Sequence, residues 1–373
     1  MERKSVYFPN LNSLRFFAAL IVILSHIKED QSLFGLSYSL PFPIIEGRQG
    51  VYIFFVLSGF LITYLLMMEY DNDKRISIKK FYMRRILRIW PLYFLIVLSS
   101  FFIIPNFNLL VLPGYPKEMI QHHVFTKLVF YLTFFPNLAV VLFGAIPFAA
   151  ITWSIGVEEQ FYLIWPWLLK YAKNKFILMS FIILFYPIIG FVLGYFNNYE
   201  WLVIFKRFWE ETPINCMAIG GVFSLICYSK DYAFLLIKKI IFAKEVQVLT
   251  IITTLVLLLL HIKIQYFKTE IFSTLFSIII VNLALNDKRV INLEYKWLSY
   301  LGKISYGLYV YHGICIVIVI RILSQYQQCN NLYIYSASLL LTIGLGSFSY
   351  YFFEKPFISL KTKFSPILSG GTK

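Results

Sequence analysis

The sequence contains 373 residues, of which 59% are hydrophobic and only 14% are charged, and its mean hydropathy is +0.71. A chain of this composition has too few polar residues to cover the surface of a water-soluble domain. The composition therefore excludes an ordinary soluble protein and predicts an all-α, polytopic membrane protein. The net charge is +15, and the placement of the basic residues decides what that excess means.

Apolar stretches of about the length of a spanning helix recur along the chain. We predict about ten transmembrane helices, at roughly residues 11–28, 48–68, 86–105, 152–171, 175–195, 212–228, 246–262, 270–286, 301–322 and 331–353. A further apolar stretch near residues 128–147 contains Pro136 and Pro147, which favour a re-entrant or interfacial segment over a crossing. No small-residue cleavage site follows the first apolar stretch, so we expect it to be retained as the first span.

The basic residues indicate the orientation of the chain. If the N- and C-termini are cytoplasmic, most of the 34 Lys and Arg residues fall in cytoplasmic loops and tails, as the positive-inside rule requires. The richest loop runs from Lys74 to Arg88, and anionic lipid headgroups account for several of its charges. The charge therefore indicates membrane lipids as partners and no nucleic acid. We expect a single transmembrane domain, residues 1–358, and a short basic cytoplasmic tail, residues 359–373.

The four cysteines do not follow a metal-binding pattern. They show no C-x-x-C spacing, and three of them fall within predicted spans, where they behave as small apolar residues. They are Cys216, Cys227, Cys315 and Cys329. We expect neither a disulfide nor a metal site.

Two ionisable residues share the first predicted span. Arg15 and His26 are eleven positions apart, and Ser25 is the only polar residue between them. Eleven positions correspond to about three helical turns and a rise of about 16 Å, so both side chains lie on one helix face. Ionisable groups in a membrane helix usually line a functional cavity. An anchoring role for Arg15 and an interfacial position for His26 explain the pattern equally well.

The fourth predicted span opens with ITWSIGVEEQFYLIWP. Trp153 is expected at the outer membrane interface, and Glu158 and Glu159 lie one to two turns deeper. Adjacent helical residues are 100° apart, so only one carboxylate is expected to share a cavity with His26. Because the first span ascends and the fourth descends, His26 and Glu158 fall at similar depth. We expect Glu158 to orient the imidazole of His26.

Two segments carry features suited to binding an anionic ligand. Arg85 and Arg88 are three apart at the predicted cytoplasmic mouth, and guanidinium groups bind phosphate oxygens bidentately. Control of orientation by positive charge is the alternative. In the second span, Ser58 and Gly59 either allow close helix packing, the more common role, or let a ligand pass near the backbone.

Two C-terminal segments add further candidates. In the ninth span, Ser305, Tyr309 and His312 fall at i, i+4 and i+7 and form a polar stripe. Such a stripe more often joins helices by hydrogen bonds than takes part in catalysis. Glu354, in the segment FFEKPF, is expected near the cytoplasmic side, where it either pairs with the basic loop or ends the helix before Pro356.

Taken together, these segments resemble the acyltransferase-3 family of integral membrane acyltransferases, which modify bacterial surface glycans. The resemblance runs from about Asn10 to Pro356. It rests on Arg15 with His26, the block FFVLSGFLIT, the Arg85-x-x-Arg88 loop, WSIGVEEQFYLIWP, and the blocks ISYGLYVYHG and FFEKPF. The order and spacing of these motifs are more specific than any one of them.

The resemblance implies a multi-pass protein of the bacterial cytoplasmic (inner) membrane. It would move an acyl group, usually acetyl, from acetyl-CoA to a carbohydrate hydroxyl, with no tightly bound cofactor. The acceptor would be a glycan such as O-antigen lipopolysaccharide, capsule or exopolysaccharide, with or without a polyprenyl anchor. Some relatives carry a further extracytoplasmic domain, so the membrane part either acts alone or hands its acyl group to a separate extracytoplasmic transferase.

The resemblance and the residues together suggest roles for the site. We expect Arg85 and Arg88, with Ser58 and Gly59, to bind acyl-CoA, and Arg15 to line its path to a catalytic His26 with Glu158. Oxyanion, acceptor and supporting roles are expected for the remaining residues, which are Trp153, Glu159, Tyr309, His312 and Glu354. His26 either acts as a general base in direct transfer or takes part in an acyl-enzyme route.

A transporter or flippase for glycans or lipid-linked sugars is the alternative from another class, because intramembrane His, Glu and Arg also serve coupled transport. Matching broken helices in two symmetric halves would indicate it, and the sequence does not show them.

Overall fold

The computed structural model describes residues 5–37, 43–196, 199–262, 264, 267–327, 329–365 and 368–369. Within these residues the fold is helical, apart from a two-residue strand at each end of the chain. The helices are α1 Leu11–Leu33, α2 Gly47–Asp73, α3 Ile78–Leu98, α4 Lys117–Gln121, α5 Val124–Leu132, α6 Pro136–Phe143, α7 Trp153–Tyr171, α8 Lys175–Tyr195, α9 Glu200–Glu210, α10 Ile214–Tyr228, α11 Tyr232–Ile241, α12 Lys244–Leu259, α13 Lys268–Leu285, α14 Lys296–Lys303, α15 Ser305–Gln325, α16 Asn331–Ser349 and α17 Lys355–Lys361.

A helix occupies each of the ten predicted spans. In the described part of the chain, seven helical segments are long and apolar enough to cross a membrane, or eight if the bent segment Glu200–Tyr228 plus Tyr232–Ile241 counts as one span. Helices α10 and α12 have only 15 and 16 residues, and α7 carries two carboxylates. The all-helical membrane architecture is therefore confirmed, and the count of ten stays a prediction.

The apolar stretch near residues 128–147 forms two short helices rather than one long one. Helix α5 has nine residues and α6 has eight, and the two pack against each other. Pro136 occupies the first turn of α6, where the missing N–H of proline costs nothing. Gln160 on α7 fixes the connection, because its side-chain amide donates to the carbonyl of Phe134 at 2.7 Å.

The first and last described segments lie together. Strand β1, Ser5–Val6, pairs in parallel with β2, Leu368–Ser369. We call the end of the bundle that carries these two strands the termini end. Helix α1 starts there and leads to the opposite end of the bundle, so its Arg15 end and its His26 end are separated along the helix axis.

Polar contacts hold the start of α1. The Asn10 side chain donates to the carbonyl of Leu283 at 2.9 Å and accepts from the amide of Leu293 at 2.6 Å. The hydroxyl of Tyr7 donates to Glu294, and burial, together with this contact, raises the pKa of Tyr7 to about 12. The Tyr7 hydroxyl therefore stays protonated at physiological pH and keeps the N-terminal segment in place.

The C-terminal segment is part of the fold. A π-helical turn, Tyr350–Glu354, leads into α17, which packs on α3. Arg84 on α3 donates to the carbonyl of Phe364 at 3.0 Å and forms a buried ion pair with Glu69 at 3.1 Å. The predicted boundary between residues 358 and 359 thus falls inside a packed helix. Residues 366–367 and 370–373 of the predicted tail lie outside the described residues.

Helices α2 and α10 approach each other through glycines. A Cβ on Gly59 would collide with the backbone of Met217, and one on Gly220 would collide with the backbone of Val56. Close approach of this kind is what small residues provide in membrane helices. The contact sets the position of α2 and hence of Ser58, one residue before Gly59.

We expect Gly59→Ala to destabilise the protein by about 1–3 kcal/mol, because the added methyl meets backbone that cannot rotate away. Thermal unfolding of the purified protein in detergent measures the loss as a lower midpoint. Gly344→Ala is the matched control, since a Cβ there meets nothing within 4 Å. Equal midpoints for the two variants would contradict the packing role of Gly59.

Candidate functional site

A cavity of about 180 Å³, lined by apolar and charged side chains, lies inside the bundle and reaches the termini end. Residues of α1, α2, α3, α7, α15 and α17 line it, together with Tyr7 and Phe8 of the N-terminal segment. Four of the lining side chains are cationic and one is a carboxylate. These five are Arg15, Arg85, Arg88, Lys361 and Glu158.

The cations come from three separate helices. Arg15 projects from α1 and donates to the side-chain oxygen of Asn12 at 2.9 Å. The guanidinium of Arg85 lies 5.3 Å from the ring centre of Tyr162 and 5.6 Å from that of Phe81. Its neighbour on the same face, Arg88, also lines the cavity. Aromatic faces and a single amide oxygen thus hold these guanidinium groups while the cavity keeps a positive excess.

Glu158 is the acidic group of the cavity, and its neighbours on α2 and α7 hold it. The hydroxyl of Ser58 donates to one carboxylate oxygen at 2.9 Å, and the hydroxyl of Tyr162 donates to the other at 2.7 Å. The charges of Arg85 and Arg88 act on Glu158 as well. Ser58 therefore lines the cavity, whereas Gly59 faces α10 because adjacent helical residues are 100° apart.

The second carboxylate of the Glu-Glu pair has its own partner. Glu159 accepts from the indole N–H of Trp90 on α3 at 2.8 Å. Its other oxygen is buried and makes no hydrogen bond. The two neighbouring carboxylates thus have different partners, because they lie on different faces of α7.

Tyr309 closes the cavity at its inner end. Its hydroxyl lies 2.8 Å from the hydroxyl of Ser154 on α7 and donates to the carbonyl of Ile151 at 3.1 Å. Tyr309 and Ser154 both line the cavity. The polar stripe predicted on α15 therefore continues past this point, since His312 lies one turn further along the same helix.

His26 meets His312, not Glu158. The Nδ1 atom of His26 lies 3.0 Å from the Nε2 atom of His312. The Nδ1 atom of His312 lies 2.6 Å from the backbone carbonyl of Tyr309. The expected pairing of His26 with Glu158 is wrong, because the register of α15 along α1 brings His312 to the imidazole and Ser58 and Tyr162 occupy Glu158.

The His26 imidazole lies at the edge of the bundle. Its side chain is 32% exposed, while His312 is 0% exposed. The Nε2 atom of His26 is 3.9 Å from a carboxylate oxygen of Glu29. Neither histidine is a lining residue of the cavity, and Tyr309 connects the two regions because it contributes its side chain to one and its carbonyl to the other.

Two other predicted residues lie outside the cavity. Trp153 packs edge-on against Phe55, and the guanidinium of Arg48 lies 5.6 Å from its ring centre. Glu354 is buried beside α15, where it accepts from the hydroxyl of Ser349 at 3.2 Å. Glu354 does not line the cavity, but its negative charge acts on Arg88, which does.

Sequence reasoning missed three residues of this region. Lys361 was assigned to the tail, and only the packing of α17 on α3 brings it to the cavity. Tyr162 follows Glu158 by one turn, and Glu29 follows His26 by three positions, so helical spacing alone indicates both pairs. Within the described residues, no group of three or more His, Cys, Asp or Glu side chains converges as metal ligands would.

Comparison with known proteins identifies relatives over most of the chain. Residues 8–351 match the family described as acyltransferase domain, known as acyltransferase 3. The O-acetyltransferase OatA of Staphylococcus aureus (strain NCTC 8325 / PS 47) is 27% identical, and the alignment covers 94% of this chain and 57% of OatA. The putative peptidoglycan O-acetyltransferase YrhL of Bacillus subtilis (strain 168) is 26% identical, with 94% and 55% covered.

The chain spans little more than half the length of these curated relatives. No solved structure matches it. The family match runs from the segment before α1 to the π-helical turn after α16, and so includes every helix that lines the cavity except α17. On this match, the chain is a member of the acyltransferase-3 family.

Proposed function

We propose that this protein transfers an acyl group, usually acetyl, from cytosolic acyl-CoA to a hydroxyl of a cell-surface glycan. The cationic cavity is the observation that carries the proposal, because it gathers four cations and one carboxylate inside an apolar bundle. Family membership supports acyl transfer. The relative YrhL is named as a putative peptidoglycan O-acetyltransferase, which supports a surface glycan as the acceptor class.

The cavity suits the donor by charge. Acyl-CoA is anionic, and its phosphates complement Arg85, Arg88 and Lys361, since guanidinium forks bind phosphate oxygens bidentately. Arg15 lies further along α1 and faces the same cavity. The acyl-bearing arm of the donor would extend from the phosphate site past Arg15 to Tyr309.

In the proposed orientation, the cavity opens towards the cytoplasm, which contains the acyl-CoA donor. Both termini are proposed to be cytoplasmic in the bacterial cytoplasmic membrane, as the positive-inside rule favours. The cavity reaches the termini end, since Tyr7 and Lys361 line it. His26 is partly exposed beyond the other end of the cavity, so the glycan hydroxyl, with or without a polyprenyl anchor, would approach from the opposite side.

In direct transfer, the partly exposed His26 is the proton acceptor. The hydroxyl oxygen of the glycan attacks the thioester carbonyl while Nε2 of His26 takes the hydroxyl proton. The carbon–sulfur bond then breaks, an ester forms, and the proton passes from His26 to the departing thiolate. General-base help of this kind accelerates a reaction by about 10²- to 10⁴-fold.

Tyr309 is the donor placed best for the developing oxyanion. Its hydroxyl closes the cavity, and its backbone is hydrogen-bonded to the histidine that contacts His26. Trp153, the other candidate, packs between Phe55 and Arg48 and does not line the cavity. The thioester therefore reaches His26 only if the contact between Tyr309 and Ser154 opens.

Purified protein in lipid nanodiscs tests the proposed function. Incubation with acetyl-CoA and a peptidoglycan or polysaccharide fragment is expected to release CoA. The mass of the glycan should rise by about 42 Da, because one acetyl group replaces a hydrogen. Movement of the glycan across the membrane without CoA release would support a transporter and contradict the proposal.

We expect His26→Ala to lower acyl transfer by about 10²-fold or more, because it removes the proposed base. Folding should survive, since the side chain is partly exposed. CoA release and the thermal midpoint are measured together. His122→Ala is the matched control, because His122 is exposed and lies away from the site. Normal transfer by His26→Ala would reject the role of the base.

We expect Arg85→Ala combined with Arg88→Ala to weaken acetyl-CoA binding by about 10-fold or more, since each charge-assisted hydrogen bond contributes about 1.5–3 kcal/mol. Lys79→Ala combined with Lys80→Ala removes the same charge from the exposed start of the same helix. Calorimetry in nanodiscs compares the two double variants. If acceptor binding fell as much as donor binding, these arginines would act through stability or topology instead.

A further inference from the structure

The hydrogen bonds of His26 and His312 determine which of their ring nitrogens carry protons. His312 is fully buried on α15. Its Nδ1 atom lies 2.6 Å from the carbonyl oxygen of Tyr309, and its Nε2 atom lies 3.0 Å from Nδ1 of His26. The centres of the two rings are 4.9 Å apart, and their planes are inclined by 30°.

The carbonyl fixes the direction of both hydrogen bonds. A carbonyl oxygen only accepts, so Nδ1 of His312 carries a proton and donates it to Tyr309. A buried imidazolium is costly without a counter-charge, so His312 is neutral and its Nε2 carries the lone pair. Nδ1 of His26 must therefore donate to His312. In a neutral His26 this leaves Nε2, the atom facing outward to Glu29, without a proton.

We propose that His312 is a positioning residue, which holds His26 in the tautomer whose Nε2 accepts the proton of the glycan hydroxyl. The inference rests on the proposed function, because it explains how His26 is kept ready as a base. In other enzymes a buried carboxylate orients a catalytic histidine. Here the neutral imidazole of His312, which the Tyr309 carbonyl orients, takes the role of that carboxylate.

The same geometry supports the charged form that follows proton transfer. When Nε2 of His26 gains the hydroxyl proton, the ring is positive and its Nδ1–H bond to His312 becomes charge-assisted, which strengthens it. The Glu29 carboxylate, 3.9 Å from Nε2, faces that charge from the same helix. Glu29 in turn accepts from the hydroxyl of Ser25 at 2.7 Å, so its position is fixed as well.

Two substitutions of His312 separate positioning from packing. His312→Leu keeps a side chain of similar bulk but removes both hydrogen bonds. His312→Gln retains both roles, since an amide N–H donates to Tyr309 and the amide oxygen accepts from His26. We expect kcat to fall by about 10²- to 10⁴-fold in His312→Leu, by analogy with loss of the correct tautomer in a triad.

We expect His312→Gln to recover kcat by at least about 10-fold over His312→Leu, which is the part of the base effect that hydrogen bonding supplies. Acetyl-CoA affinity should stay unchanged in both variants, because His312 does not line the cavity. Equal kcat in the two variants, or a loss of acetyl-CoA binding in both, would overturn the positioning role and indicate packing.

The tautomer itself can be observed without turnover. Protein labelled with ¹⁵N-histidine, compared with the His26→Ala variant to assign the signals, reports which ring nitrogen of His26 carries the proton. We expect the proton on Nδ1 in the wild type and a mixture of tautomers in His312→Leu. A wild-type His26 protonated on Nε2 would overturn the inference. Full activity of His26→Ala would instead overturn the proposed function, so the two failures are distinguishable.

Discussion

The cost of holding charge inside an apolar bundle constrains this structure more than any other term. A cation or carboxylate at the centre of a bilayer costs about 2.5–3.5 kcal/mol even on the most lenient scale, and five such groups line one cavity. Their partners come from within the protein: Asn12 for Arg15, and Ser58 and Tyr162 for Glu158. Only one carboxylate faces four cations, so an excess of positive charge is left for an anionic ligand to neutralise.

Rigid contacts keep these charges in register. Glycines bring α2 against α10 without side chains between them, and Gly302 meets the backbone of Asn12 in the same way. Helix α1 is thus fixed at its start, and helical geometry then sets the distance from Arg15 to His26. The proposed donor site and the proposed base both involve α1, so their spacing does not depend on loops. The two chemical regions can be separate because a single element positions both.

Helical periodicity in the sequence predicts where helices lie and which residues share a helix face, but not how the helices pack together. Length and hydropathy predicted a helix at every span, and the three-residue spacing of Arg85 and Arg88 placed these two side chains on one helix face. The sequence placed Glu158 at the depth of His26 instead, whereas the structure places it in the cavity with the two arginines. Periodicity says nothing about how far one helix is shifted along another, and a shift of one turn is only about 5.4 Å. Periodicity also does not tell which helix packs beside α1, and the packing of α15 there brings His312, not Glu158, to His26. Lys361 was beyond reach for a related reason, because its place depends on a tertiary contact between α17 and α3.

In the proposed mechanism, Tyr309 serves both the base and the passage that leads to it. Its carbonyl accepts from His312, while its hydroxyl bonds to Ile151 and lies within hydrogen-bond distance of Ser154 at the end of the cavity. A rotation about the side-chain torsions would move the hydroxyl away from α7 and leave the backbone carbonyl in place. Opening the passage then breaks two hydroxyl hydrogen bonds, each with a net contribution of about 0.5–1.5 kcal/mol. The hydrogen bonds of the two histidines do not involve that hydroxyl, so entry of the proposed thioester would leave the proposed tautomer of His26 unchanged.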